Sequence, residues 1–296
     1  MTKPNLPEQR NVRSFSVRMR EYRRRPLSFV LLLLVLAGAA ITIGVFLLMV
    51  GYIFWKGSPH LRPELFSFTY TSDNVSLMPA LINTVIMTLL SLAVAVPLGI
   101  FSAIYLVEYA KRGNKLVKVV GVTSETLSGI PSIVYGLFGL LFFVTALGWG
   151  FSLLAGAFTL AIMILPTIMR TTEEALRTVP DTFREGSFGL GAGKLRTVFR
   201  VVLPSAMPGI LSGVILAIGR IVGETAALIY TAGTVADVPA SLMGSGRTLA
   251  VHMYVLSSEG LHMGAAYATG VVLIVLVVVI NTLSGLLAKR IGGQGK

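Results

Sequence analysis

The chain of 296 residues is 54% hydrophobic and 13% charged, and its mean hydropathy is +0.80. Soluble domains carry roughly 25% charged residues, so this composition excludes a protein that folds in water. Because the chain contains no cysteine, disulfides, thiolate metal sites, iron–sulfur ligation and a cysteine nucleophile are excluded too. The net charge of +12 is compatible with a nucleic acid or a membrane surface as partner, and its placement along the chain decides between them.

Six apolar stretches are long enough to cross a membrane, which takes about 20 residues of helix. They are residues 27–54, 77–107, 119–147, 151–169, 209–232 and 265–288. The first is far longer than the 7–15 apolar residues of a signal peptide, so we expect an uncleaved span. Pro97, Pro131 and Pro166 fall within spans and predict kinks or bundle-facing positions. The sequence therefore predicts an all-α, polytopic membrane protein with six transmembrane helices.

The basic residues alternate between the two sides of these spans. The amino-terminal segment, the second and fourth loops and the tail together carry 21 of the 25 Lys and Arg residues. The opposite side has only Lys56, Arg62 and Arg247. By the positive-inside rule the rich side is cytoplasmic, which places both termini there. The charge is thus a topology signal, and membrane lipid rather than nucleic acid is the expected partner.

This alternation divides the chain into three parts. We expect a basic cytoplasmic segment over 1–26, a transmembrane domain over 27–288 and a cytoplasmic tail over 289–296. The outer loops 56–76 and 235–264 are long enough for a short interfacial helix or for docking an external partner. The sequence leaves both alternatives open.

The cytoplasmic loop 170–208 within the transmembrane domain has its own helix signals. Thr171 followed by Glu174 has capping-box spacing and predicts a helix start. Pro180 interrupts that helix, and Asp181 is then expected to be the N-cap of a second helix over 182–188. Glycines at three positions end this second helix, and helical periodicity resumes afterwards. The glycines are Gly189, Gly191 and Gly193.

The second helix is too short to persist alone in water. Its Phe183 and Phe188 need a cover. They either fold back on the membrane surface or insert into a groove on a separate cytoplasmic protein.

The same loop resembles the EAA loop of ABC-importer permeases. That pattern reads E-A-A, three residues, G, nine residues, I, one residue, L-P, and the spacing here matches it from Glu185 through Gly191 to Val201 and Pro204. Gly186 and Ser187 replace the two alanines and Val201 replaces the isoleucine. The resemblance implies that the loop is a coupling helix seated in a cleft of an ATPase subunit. The implied contact residues are Asp181, Phe183, Glu185, Gly186, Ser187 and Gly191.

The order of segments also resembles the A-type permease of the bacterial high-affinity phosphate importers, most closely over Gly219–Ala227. This resemblance implies a subunit of the bacterial inner membrane that translocates inorganic phosphate. It implies as partners a second permease subunit, two ATPase subunits and a periplasmic phosphate-binding protein.

Catalytic signatures are missing from the sequence. Residues 191–195 resemble a phosphate loop only briefly, because Leu195 follows the Lys where Ser or Thr is required. The three histidines lie outside the spans without HExxH spacing, and no G-x-S-x-G elbow occurs. A Ser/Lys dyad stays open, although no Lys lies deep in a span. We therefore expect a non-enzyme with no cofactor and no metal site, whose ATP is hydrolysed by a partner.

Two opposite charges fall in the fifth span. Arg220 and Glu224 are four residues apart, which would place them on one helix face, at a cost of roughly 2.5–3.5 kcal/mol each at a helix centre. One interpretation is a structural pair that offsets its own burial. The other is a translocation path in which Arg220 binds an oxyanion and Glu224 keeps the site nearly neutral so that the anion can leave. The residues alone favour an anion and leave open another oxyanion or solute, or a receptor or scaffold that transports nothing.

Small residues recur every four positions on the same span. Gly209 with Gly213, and Gly219 with Gly223, have the spacing that lets membrane helices approach closely. They predict tight packing against another helix, of this chain or of a partner permease, unless the spacing is incidental.

Overall fold

The computed structural model describes residues 26–111, 113 and 115–292. The expected basic segment at the amino terminus, up to residue 25, and the last four residues of the tail lie outside the described residues. In the described part every regular element is a helix, which confirms the all-α prediction. The helices are α1 Pro26–Gly57, α2 Met78–Ile104, α3 Lys115–Ser128, α4 Ser132–Gly139, α5 Leu153–Arg177, α6 Asp181–Gly189, α7 Lys194–Thr197, α8 Leu203–Val222, α9 Ala226–Ile229, α10 Leu249–Glu259 and α11 Met263–Gly292.

Three of these helices continue into π-helical turns. Tyr105–Tyr109 prolongs α2, Leu140–Ala146 prolongs α4, and Val198–Val202 joins α7 to α8. Five helical stretches are then long and apolar enough to cross a membrane. They are Leu27–His60, Met78–Tyr109, Leu153–Arg177, Lys194–Val222 and Met263–Leu286.

The third predicted span, residues 119–147, is not the single helix that the sequence predicted. The structure has two pieces, Val117–Ser128 and Ser132–Ala146, that meet at an angle of 102°. Pro131 has no N–H to continue the helical ladder and its ring disfavours helical backbone at the preceding residue. The kink expected at Pro131 is therefore a full break, and six spans result if the bent pair counts as one.

The chain divides into two compact units, residues 1–52 and 53–296. The described part of the first unit is the greater part of α1, a run of apolar residues from Leu27 onward. In the second unit α5 is the central helix, with fifteen buried residues along its length, and α2 and α8 pack against it. The fit is close, since a Cβ on Gly99 of α2 would lie 2.7 Å from Cγ2 of Ile168 in α5.

The loop 170–208 departs from the prediction at its start. Thr171 does not begin a helix, because α5 runs without a break from the membrane to Arg177. The Thr171 hydroxyl donates to the Thr167 carbonyl at 2.9 Å, one turn back in the same helix. The hydroxyl therefore serves the helix interior, and the capping-box spacing is coincidental. The next helix begins at Asp181 itself, one residue earlier than predicted.

The loops 56–76 and 235–264 contain short helices, which was one of the two alternatives that the sequence left open. Two 3₁₀ turns, Ser58–His60 and Pro63–Phe66, occupy the first loop, and α10 lies in the second. Arg247 was counted as a loop cation, yet it is only 4% exposed and its guanidinium lies 4.8 Å from the Tyr70 ring centre. A loop position alone therefore does not predict exposure.

The two glycine pairs on α8 have different surroundings. A Cβ on Gly209 would lie 2.7 Å from Cβ of Ala175, and one on Gly213 would overlap the Thr171 side chain. Both contacts are with α5. A Cβ on Gly219 would meet nothing within 4 Å. The first pair thus permits the α5–α8 contact, whereas the second has no such role within this chain.

A Gly213→Ala substitution should destabilise the protein, because the methyl group has to displace Thr171 or separate two helices. Overpacking of this kind costs about 1–3 kcal/mol. The measurement is the unfolding temperature of the purified protein in detergent. Gly219→Ala, on the same helix with open space around it, is the control and should unfold as the wild type does. Equal unfolding temperatures for the two variants would contradict this account of α5–α8 packing.

Candidate functional site

The short helix α6 exposes most of its side chains on the surface of the chain. None of its residues is buried, and Phe183 and Phe188 are 49% and 47% exposed. Asp181, Glu185 and Gly186 are exposed as well. Two large aromatic side chains on one short exposed helix form an apolar surface with no cover in the described part of the chain, which is typical of a protein–protein contact.

The turn after α6 depends on glycine. Gly191 has a φ of +82°, a left-handed conformation that costs little only for glycine. Its amide donates to the Phe188 carbonyl at 2.9 Å, which closes the end of the helix. Ser187 is half-buried and its hydroxyl lies 2.9 Å from the Thr197 hydroxyl of α7, so α6 is linked through α7 to the helix that becomes α8.

One arginine of α6 is bound from several directions. The guanidinium of Arg184 donates to Glu108 Oε1 from Nη2 at 2.7 Å and from Nε at 3.1 Å. Glu108 belongs to the π-helical end of α2. Nη2 also donates to the Leu176 carbonyl at 3.0 Å, and Nη1 donates to the Val179 carbonyl at 2.8 Å and to Asp181 Oδ1 at 3.1 Å. All five N–H donors of the guanidinium therefore have a partner.

This network is shielded from water. The side chains of Arg184 and Glu108 are 14% and 8% exposed, in contrast to the exposed pair between Arg170 and Glu174. The hydrogen bond to Glu108 raises the pKa of Arg184 above its ordinary value, against the opposing effect of burial. The sequence analysis missed this pair, because residues 76 positions apart in the chain leave no local signal.

Arg220 and Glu224 do not form the predicted pair. The helix α8 ends at Val222, so Glu224 lies beyond it and not one turn further along the same face. The Glu224 side chain instead accepts a hydrogen bond from the Ala227 amide at 3.1 Å, where α9 begins. The i, i+4 argument fails because Gly223 ends the helix between the two residues. Among the residues that the structure describes, Arg220 forms no ion pair.

Arg220 instead lines a cavity of about 570 Å³ between three membrane-spanning helices. Thr167 of α5, Ser212 of α8 and Asn281 of α11 contribute polar groups to the same wall. Gly219 also lines it, and a Cβ there would meet nothing within 4 Å. The Ser212 hydroxyl donates to the Pro208 carbonyl at 2.9 Å, so the donors that suit an oxyanion come chiefly from the Arg220 guanidinium and the Asn281 carboxamide. The described residues contain no cluster of three or more potential metal ligands.

Residues 95–293 match the family described as binding-protein-dependent transport system inner membrane component. The match takes in the last ten residues of α2, the loop 170–208 and the residues that line the cavity. The chain belongs to this family.

Curated relatives agree with this membership. The probable ABC transporter permease protein YqgI of Bacillus subtilis is 35% identical over 264 residues, which are 82% of this chain and 87% of that protein. The phosphate transport system permease protein PstA of Pasteurella multocida is 38% identical over 209 residues, 68% of this chain and 72% of that protein. PstA 1 of Mycobacterium tuberculosis is 37% identical over 201 residues, 68% of this chain and 66% of that protein.

Solved structures show the fold at lower identity. A bacterial alginate ABC transporter in complex with an alginate-pentasaccharide-bound periplasmic protein superposes with a TM-score of 0.65 at 16% identity, covering 92% of this chain and 97% of that one. The inward-facing methionine transporter MetNI gives 0.56 at 21% identity, covering 73% and 94%. The chain therefore shares its fold with these transporters.

Replacement of Glu224 separates its capping role from its charge. Glu224→Gln keeps a side-chain oxygen for the Ala227 amide, so the unfolding temperature in detergent should stay near that of the wild type. Glu224→Ala removes the acceptor and should cost about 1 kcal/mol, the usual value of a lost helix cap. Glu259→Ala, at an exposed position near the end of α10, is the control. If Glu224→Ala is as stable as Glu259→Ala, the cap does not contribute.

Proposed function

We propose that this family member forms half of the transmembrane channel of an ATP-driven importer of inorganic phosphate. The observation that carries the proposal is the guanidinium of Arg220, free of any ion pair in the described chain, in a mainly apolar cavity between membrane-spanning helices. The names of the PstA relatives support phosphate as the particular oxyanion.

A charge in a membrane span is costly and marks a functional path when it faces a water-filled cavity. Arg220 offers two parallel donors that match two oxygens of a phosphate. The Asn281 carboxamide on the same wall can add a weaker, neutral hydrogen bond. Such a site holds an anion loosely, which conduction requires.

The energy comes from outside this chain. The chain is then a channel subunit and not an enzyme, and it pairs with a second permease subunit and two ATPase subunits. A periplasmic phosphate-binding protein delivers the substrate to the outer loops. The exposed aromatic face of α6 supports this arrangement, because Phe183 and Phe188 lie open on a short helix of the basic side. With positive charge on the cytoplasmic side, α6 and both termini face the ATPase compartment.

Alternating access follows from these parts. Closure of the ATPases displaces α6 through its contact residues Asp181, Phe183, Glu185, Gly186, Ser187 and Gly191. Helices α5 and α8 carry that displacement to the walls of the Arg220 cavity. The cavity then opens to one side of the membrane at a time, so phosphate moves inward without a continuous pore.

The test replaces Arg220 in the reconstituted complex and measures uptake of radiolabelled phosphate. Arg220→Gln should lower uptake about tenfold or more, since a hydrogen bond to a charged group contributes about 1.5–3 kcal/mol. Arg220→Lys keeps the charge without the planar fork and should retain part of the activity. The amount of ATPase that co-purifies reports assembly and should not change. Normal phosphate uptake by Arg220→Gln would show that Arg220 is not part of the translocation path. If the wild type takes up another solute and no phosphate, the proposed substrate is wrong.

A further inference from the structure

The ion pair between Arg184 and Glu108 stands out from the other polar contacts of α6. It joins residues 76 positions apart, whereas Asp181 pairs with Arg184 within α6 itself. The hydroxyl contact of Ser187 with Thr197 links α6 only to the helix that follows it. Among the described residues, Arg184 is thus the side chain that connects α6 by hydrogen bonds to the end of the second span.

Three segments meet at this one guanidinium. Glu108 lies at the end of the α2 span, the Leu176 carbonyl belongs to the carboxyl end of α5 and the Val179 carbonyl to the turn that follows it, and Arg184 comes from α6. The carbonyls at a helix carboxyl end carry partial negative charge and attract a cation. The arginine is fully hydrogen-bonded and fixes the distance between α6, α5 and α2 at their cytoplasmic ends.

The segments flanking α6 resist rotation weakly. Pro180 is the N-cap of the helix, where its carbonyl accepts from the Phe183 amide at 3.1 Å, and Gly191 and Gly193 follow the helix. A short helix between a proline and two glycines can turn about its ends unless a side chain holds it. The apolar cluster beneath, which includes Ile104, Leu176 and Val202, packs the ends of the spans against each other and contains no residue of α6. The apolar packing of the spans therefore does not require Arg184, whereas the polar attachment of α6 to the ends of α2 and α5 does.

We propose that the buried Arg184–Glu108 ion pair is the link through which movement of α6 is passed to α2, so that its loss separates ATP hydrolysis from solute movement. The inference rests on the proposed function, in that α6 receives force from an ATPase. Arg184 and Glu108 are positioning residues. They touch neither the solute nor the nucleotide.

Glu108→Gln is the informative variant, because it leaves every residue of α6 unchanged. In proteoliposomes containing the whole complex, ATP hydrolysis and phosphate uptake are measured together. Glu108→Gln and Arg184→Gln should lower the phosphate taken up per ATP about tenfold, a typical size for a coupling between two sites, while basal ATP hydrolysis persists. Glu173→Gln, which removes the more exposed pair with Arg177 on α5, is the matched control and should keep the wild-type ratio.

A second measurement does not depend on the solute. Because the chain has no native cysteine, spin labels can be placed at Thr182 of α6 and Ser102 of α2, both exposed. With the link intact, the distance distribution between them should stay narrow with and without ATP, and Glu108→Gln should broaden it. An unchanged uptake ratio with an unchanged distribution in the assembled Glu108→Gln complex would overturn the inference. If phosphate is not the substrate, the wild-type complex will take up no phosphate. The spin-label distances will then still test whether the Arg184–Glu108 pair links α6 to α2.

Discussion

A single largely buried arginine joins the exposed helix α6 to the ends of two membrane-spanning helices. Arg184 uses all five of its donors on α2, α5 and α6, and it is 14% exposed beside a carboxylate that is 8% exposed. Breaking a pair of this kind leaves an uncompensated buried charge, which is costly. The helix that carries the exposed phenylalanines is therefore not free to swing, and a displacement imposed on it has to reach the spans.

The membrane core is built to receive such a displacement. The central helix α5 ends at the carbonyls that bind Arg184 and lines the Arg220 cavity about two to three turns earlier, at Thr167. It packs on α8 where Gly209 and Gly213 allow close approach, and α8 carries Arg220 itself. Helix α5 thus extends from the arginine network to the cavity, and α8 is closely packed against it. Packed helices transmit movement because interiors at this density resist compression.

The helical class, the approximate positions of most spans and a bend at Pro131 were predictable from the sequence, whereas the fifth span, predicted over 209–232, runs from Lys194 to Val222. Apolar length defines spans because backbone in lipid has to be hydrogen-bonded internally, and Pro131 marks the break because it cannot take part in the ladder. The course of the chain at Thr171 and Glu224 was not predictable. Capping-box spacing and i, i+4 spacing are local patterns. The first failed because the helix continues through Thr171, and the second failed because the helix stops before Gly223. The Arg184–Glu108 pair and the burial of Arg247 depend on tertiary contacts, which no single-sequence spacing encodes.

The central claim is that α6 is covered by an ATPase and not by its own chain or by lipid. The direct measurement places a photo-crosslinking phenylalanine analogue at Phe183 in cells and identifies the adduct by mass spectrometry. Phe101 of α2, which is also exposed, is the control and should react with lipid or a membrane subunit. The account predicts that Phe183 yields an adduct with a nucleotide-hydrolysing protein. Adducts of Phe183 only with lipid or with this chain would contradict it.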